Sequence, residues 1–149
     1  MTYKFEVSGL PEHWSDVSGL FYRSYSVYSG STDSPDPSSL VSGSLTTTSG
    51  SATSIVSTSI ATSTTLAYRG YFKPNVTSTD WKFRVTSDDG SYLWLDTNAE
   101  LPVATLDPND AIIDNSGIHD PTTVVSDKIS LDSEFHYAMA LVVGNNTGS

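Results

Sequence analysis

Cysteine is absent from the chain, which excludes a disulfide framework and any thiolate metal site. Stability then has to come from a packed core, and 149 residues suffice to bury one as a single domain. Basic side chains are scarce, 7 against 17 acidic ones, for a net charge of −10. Such a field repels phosphate backbones and argues against nucleic-acid binding through a basic patch, while it favours solubility and recruits cations. No stretch approaches the roughly 18 apolar residues of a membrane span. Residues 1–7 carry neither the apolar core nor the cleavage pattern of an export signal. Helical periodicity is missing as well, since no window sustains apolar residues at i, i+3 and i+4.

What remains is strand signal. Residues 2–8 alternate, with Tyr3, Phe5 and Val7 on one side and Thr2, Lys4, Glu6 and Ser8 on the other. Residues 20–28 hold Phe21, Tyr22, Tyr25 and Tyr28, and then Asp33-Ser34-Pro35-Asp36-Pro37 forms a turn that no strand crosses. Residues 38–65 are low in complexity and rich in serine and threonine. Three readings stay open for them: a loop, an O-glycosylated stretch, or short exposed edge strands.

The pattern then tightens. A strand over 66–73 ends at Pro74, and Trp81, Phe83 and Val85 alternate along 81–86. Ser87-Asp88-Asp89-Gly90 leads into Ser91-Tyr92-Leu93-Trp94-Leu95-Asp96, and turn chemistry of this kind predicts a hairpin. Prolines and Asx residues break up 99–121, leaving one short strand at 111–113. The last strands are predicted at 123–131 and 134–143, and the final one, mostly apolar on both faces from Phe135 to Val143, belongs at the centre of a covered sheet. Seven to nine short strands without helices predict an all-β fold, a two-sheet antiparallel sandwich or jelly roll.

The order of these pieces resembles the PA14 domain, and more closely its GLEYA and flocculin-like relatives. The likeness is carried by Arg69-Gly70-Tyr71-Phe72-Lys73-Pro74, Trp81-Lys82-Phe83, and Ser87-Asp88-Asp89-Gly90-Ser91-Tyr92-Leu93-Trp94-Leu95-Asp96. Asn115-Ser116-Gly117-Ile118-His119, Glu134-Phe135-His136-Tyr137 and Gly144-Asn145-Asn146 complete it. It implies a PA14-like sandwich over 15–149, with 1–14 a separate strand segment and linker. One departure is Tyr137-Ala138-Met139-Ala140, where relatives carry a Tyr-Tyr-Pro sequence. Similar modules occur in fungal flocculins, bacterial adhesins and phage structural proteins, so the expected location is a cell or virion surface.

In the lectin branch of the family an adjacent aspartate pair and a later asparagine hold calcium. That implies Asp88 and Asp89 as ligands, with Asn145 or Asn146 as partner. Calcium takes six to eight hard oxygen ligands, and sugar hydroxyls can fill its open positions. The alternative is that the four residues only make a turn, with Gly90 at positive φ. Asn75-Val76-Thr77 and Asn145-Asn146-Thr147 match the N-glycosylation acceptor pattern, with Asn75 and Asn145 as acceptors. No enzyme signature emerges. His13, His119 and His136 are isolated, no Gly-x-Ser-x-Gly elbow is present, and His119 reads as a structural hydrogen-bonding residue.

Relatives continue beyond the Gly-Asn-Asn loop into further strands. The expectation is therefore a sheet short of one strand, filled by Tyr3, Phe5 and Val7 either in cis or from a neighbouring copy. Donation in trans, repeated head to tail, gives a non-closing homo-oligomer, a helical filament. A piece of a longer protein, with an ordinary first strand at 2–8, is the alternative. Two functions follow: a non-enzymatic structural fibre subunit, and a calcium-dependent carbohydrate-binding adhesion domain.

Overall fold

The computed structural model describes residues 20–25, 35–40, 45–52 and 63–146. Ten strands run through them: β1 Leu20–Tyr25, β2 Leu45–Ala52, β3 Thr64–Phe72, β4 Ser78–Trp81, β5 Arg84–Ser87, β6 Ser91–Leu95, β7 Ile113–Asn115, β8 Thr122–Val125, β9 Ile129–Leu131 and β10 Tyr137–Asn145. The only helical elements among the described residues are short 3₁₀ turns. The all-β expectation holds, with every strand pair antiparallel.

Six strands form one sheet in the order β2-β1-β3-β10-β6-β7. Its spine is the nine-residue pairing of β3 with β10, in register from Phe72 opposite Tyr137 to Thr64 opposite Asn145. The continuous apolar run of β10 follows from this interior place, since both faces are covered. Ala138, Ala140 and Val142 enter one core cluster, and Met139 and Leu141 the other.

The two faces are covered by different means. On the first, Tyr92, Trp94 and the β10 residues Ala138, Ala140 and Val142 meet Leu40, Ala99, Val103 and Leu106. The last three come from irregular chain after β6, built on 3₁₀ turns at Asp96–Glu100, Val103–Thr105 and Pro108–Asp110. Trp94 is fully buried, and its indole N–H donates to the Asp107 carbonyl at 2.7 Å. Ala140 lies directly opposite Trp94 across the β6–β10 pairing, so a small residue sits beside the large ring.

On the second face, Tyr68, Phe72, Leu93, Leu95, Met139 and Leu141 meet Leu131 and the half-buried Trp81, Phe83, Val85, Val124 and Ile129. These belong to a two-stranded ribbon, β4 with β9 and β5 with β8. The halves join at Phe83 and Ser126, where Ser126 N donates to the Phe83 carbonyl and Phe83 N to Ser126 Oγ. The predicted strands at 81–86 and 123–131 are therefore each interrupted, at residues 82–83 and 126–128. Trp81, Phe83 and Val85 still share the inward face, because the alternation survives the break.

The hairpin expected at 81–96 is corrected. β5 pairs with β8, whereas β6 pairs with β10 and β7, so residues 88–90 turn a corner between the layers. Asp89 makes that possible by taking a left-handed backbone, φ 61°, which Asp tolerates better than most residues. The last strand also shifts: it spans Tyr137–Asn145, and Phe135, expected in the buried run, stands 60% exposed in a turn closed by Phe135 N on the Asp132 carbonyl. The short strand expected at 111–113 lies at Ile113–Asn115. Within the serine- and threonine-rich tract, Leu45–Ala52 forms β2, paired with β1 at the sheet's end. Tyr3, Phe5 and Val7 lie outside the described residues.

Candidate functional site

Three stretches meet at one end of the sandwich: the corner 87–90, the loop 116–121 between β7 and β8, and the end of β10 with Asn146. Strand pairing brings them together. β10 runs beside β6, so its last residues lie over the start of β6, and Gly144 N donates to the Gly90 carbonyl at 3.0 Å. Gly117, at φ 114°, bends the second loop back toward the corner.

Asp89 is the point where the three are joined. It is only 2% exposed, and its carboxylate takes backbone N–H groups from both other stretches: His119 N at 3.3 Å on Oδ1 and Asn146 N at 2.8 Å on Oδ2. Its own N–H donates to the His119 carbonyl at 3.2 Å. Asp88, its neighbour, is exposed. The left-handed turn at Asp89 thus separates two adjacent carboxylates, one inward and one outward.

Behind the corner is a buried polar cluster that sequence reasoning missed. Ser87 Oγ and Ser91 Oγ lie 2.8 Å apart, and Asn115 Nδ2 donates to Ser87 Oγ at 2.8 Å and to the Thr122 carbonyl at 3.2 Å. Ser87, Ser91 and Asn115 are all buried, and their mutual bonding offsets the cost of removing them from water. Nothing in the sequence signalled it, since the strand was expected at 111–113 and Asn115, the last residue of β7, lay beyond that range. His119 continues the cluster, with Nε2 at 3.2 Å from the Asn115 carbonyl and Nδ1 at 3.0 Å from that of Asp120.

The structure brings Asp88, Asp89 and Asn146 to one place, with Asn145 at the last position of β10, opposite Thr64. Among the described residues no three Asp, Glu or His side chains gather into a metal-binding group. A cation here would draw on two carboxylates and on amide and backbone oxygens. These are hard donors of the kind calcium takes, and a carboxylate oxygen that accepts one N–H keeps a further lone pair. The donor types are those calcium takes, with the Asp88 carboxylate outward and the Asp89 carboxylate buried.

The glycosylation acceptors fall at opposite ends. Asn75 is exposed in the turn after β3, where Thr77 Oγ1 bonds Asp132 Oδ1 at 3.0 Å and Trp81 Nε1 donates to the Val76 carbonyl. Asn145 is half-buried at the site itself. No helix among the described residues is long and apolar enough to cross a membrane.

A family model described as the GLEYA domain matches residues 64–149, from the first residue of β3 through every element that builds this end of the sandwich. No match was found among curated proteins or among solved structures.

Proposed function

Since the chain belongs to the GLEYA domain family, we propose that it is a cell-surface adhesion module that recognises carbohydrate at the end of the sandwich carrying Asp88, Asp89 and Asn146. The GLEYA domain is an adhesin-type domain and not a catalytic one, which is the class this reading starts from. The observation that carries it is the convergence of the 87–90 corner, the 116–121 loop and the 144–146 turn on the Asp89 carboxylate.

Calcium would be held by the Asp88 and Asp89 carboxylates with a side-chain oxygen of Asn145 or Asn146. A bound ion would supply positive charge and open coordination positions for vicinal sugar hydroxyls. The protein's own part is to present hard oxygens on a rigid rim: the β3–β10–β6 backbone fixes where 144–146 stands, and the polar cluster behind Ser87 fixes the corner. The acidic surface favours an arriving cation from a distance. Asn75, at the far end, is the acceptor at which a glycan would leave this rim clear. Assembly through residues 2–8 stays apart from this reading, since Tyr3, Phe5 and Val7 lie outside the described residues.

Glycan-array binding, run in calcium and again in chelator, tests the proposal with the intact chain and with Asp88→Ala. Retention of defined glycans in calcium, lost in chelator, is expected, with calcium affinity lowered at least about tenfold in the variant. Glycan binding indifferent to both chelator and the substitution would contradict it.

A further inference from the structure

We infer that Asp89 is a positioning residue, whose buried carboxylate holds the His119 and Asn146 backbones in place in the cation-free protein, so that this end of the sandwich is formed before anything binds. The aspartate pair looks symmetric in the sequence, but the fold separates the two. Asp88 is exposed, while Asp89 is 2% exposed and bonded to two stretches that come from different strands. The partners lie 30 and 57 residues away along the chain, so this is a long-range tie and not a local turn contact.

The chemistry favours such a tie. A carboxylate accepting backbone N–H groups makes charge-assisted bonds, stronger than those between neutral groups. Burial strengthens them further by excluding competing water. The left-handed backbone at Asp89 is what aims the side chain inward, and the reverse bond from Asp89 N to the His119 carbonyl doubles the link to that loop. The neighbouring polar cluster lies against the same corner, with Asn115 Nδ2 donating to Ser87 Oγ, two residues from Asp89, and His119 Nε2 3.2 Å from the Asn115 carbonyl. Loops held this tightly give up little freedom when a ligand arrives, which conserves affinity.

That these loops form the recognition rim rests on the function proposed above; the tie itself does not, and it is read without calcium or sugar. Hydrogen exchange followed amide by amide in chelator is the test, with the intact chain and with Asp89→Asn. Asparagine keeps nearly the same shape and tolerates the left-handed backbone, but it has one acceptor oxygen where two N–H groups need partners. In the intact chain, protection of the His119 and Asn146 amides is expected. In the variant, exchange at one or both should rise by about tenfold or more, with Ala140 and Leu141 in the centre of β10 changed far less. Val103→Ala, in the core away from these bonds, is the control: it should lower stability without that selective release. If Asp89→Asn does not fold, Asn146→Pro removes the donor instead, after a strand residue whose extended backbone proline accepts. Faster exchange at Gly144 and Asn145 with His119 still protected is then expected. Unprotected His119 and Asn146 amides in the intact chain, or equal protection in the variants, would overturn the inference, whatever the glycan array shows.

Discussion

The two faces of the six-stranded sheet solve the same problem by different means. One is covered by a two-stranded ribbon, whose alternating Trp81, Phe83 and Val85 meet Phe72 and Leu141; the other is covered by loops that place Ala99, Val103 and Leu106 over Trp94. Ribbon strands bond to each other through their backbones, so that cover has a framework of its own. The irregular cover is organised around a single ring: Trp94 is the largest fully buried side chain among the described residues and makes a hydrogen bond to Asp107. A layer built of strands distributes its stability over many pairs, whereas a layer built of loops concentrates it.

That contrast is open to direct test. Trp94→Ala should cost the most, about 4–5 kcal/mol from the cavity and the lost transfer energy, read as a shift in the urea midpoint. Exchange should also rise across 96–111, because the cover loses its anchor. Phe72→Ala on the ribbon face should cost less, about 3 kcal/mol, although it also ends the edge-to-face packing of Phe72 with Trp81 and Phe83, each at 5.3 Å between centroids. The ribbon's amides should stay protected. A Phe72 variant that releases its cover as fully as the Trp94 variant would erase the distinction. Smallest of all should be Lys128→Ala. The Lys128–Asp80 ion pair joins β4 to the residue before β9 at 2.6 Å, but both side chains are more than 60% exposed. Its removal should change stability by less than about 0.5 kcal/mol in thermal denaturation.

The same contrast explains what could be read from the sequence. Period-two alternation located Trp81, Phe83 and Val85 on one face, and the unbroken apolar run placed β10 at the centre, because both patterns depend only on local geometry. The cover over Trp94 left no usable trace: Ala99, Val103 and Leu106 are spaced four and three apart, as on a helix face, but Pro102 and Pro108 break that stretch into 3₁₀ turns. The hairpin expectation failed for a related reason. Ser87-Asp88-Asp89-Gly90 has good turn chemistry, but nothing local says whether the next strand pairs with its predecessor or crosses to the other sheet. That choice is made by partners far along the chain, Thr122–Val125 for β5 and β10 for β6. At the site, the motif named Asp88 and Asp89 together, but their opposite directions follow from the backbone at Asp89 and from the distant N–H groups of His119 and Asn146.

Backbone amide shifts recorded during a calcium titration of the intact chain address the recognition end most directly. Saturable changes confined to residues 87–90, 117–120 and 144–146 are the expected result. No saturable change, or changes centred on the opposite turns at 73–77 and 132–136, would contradict it.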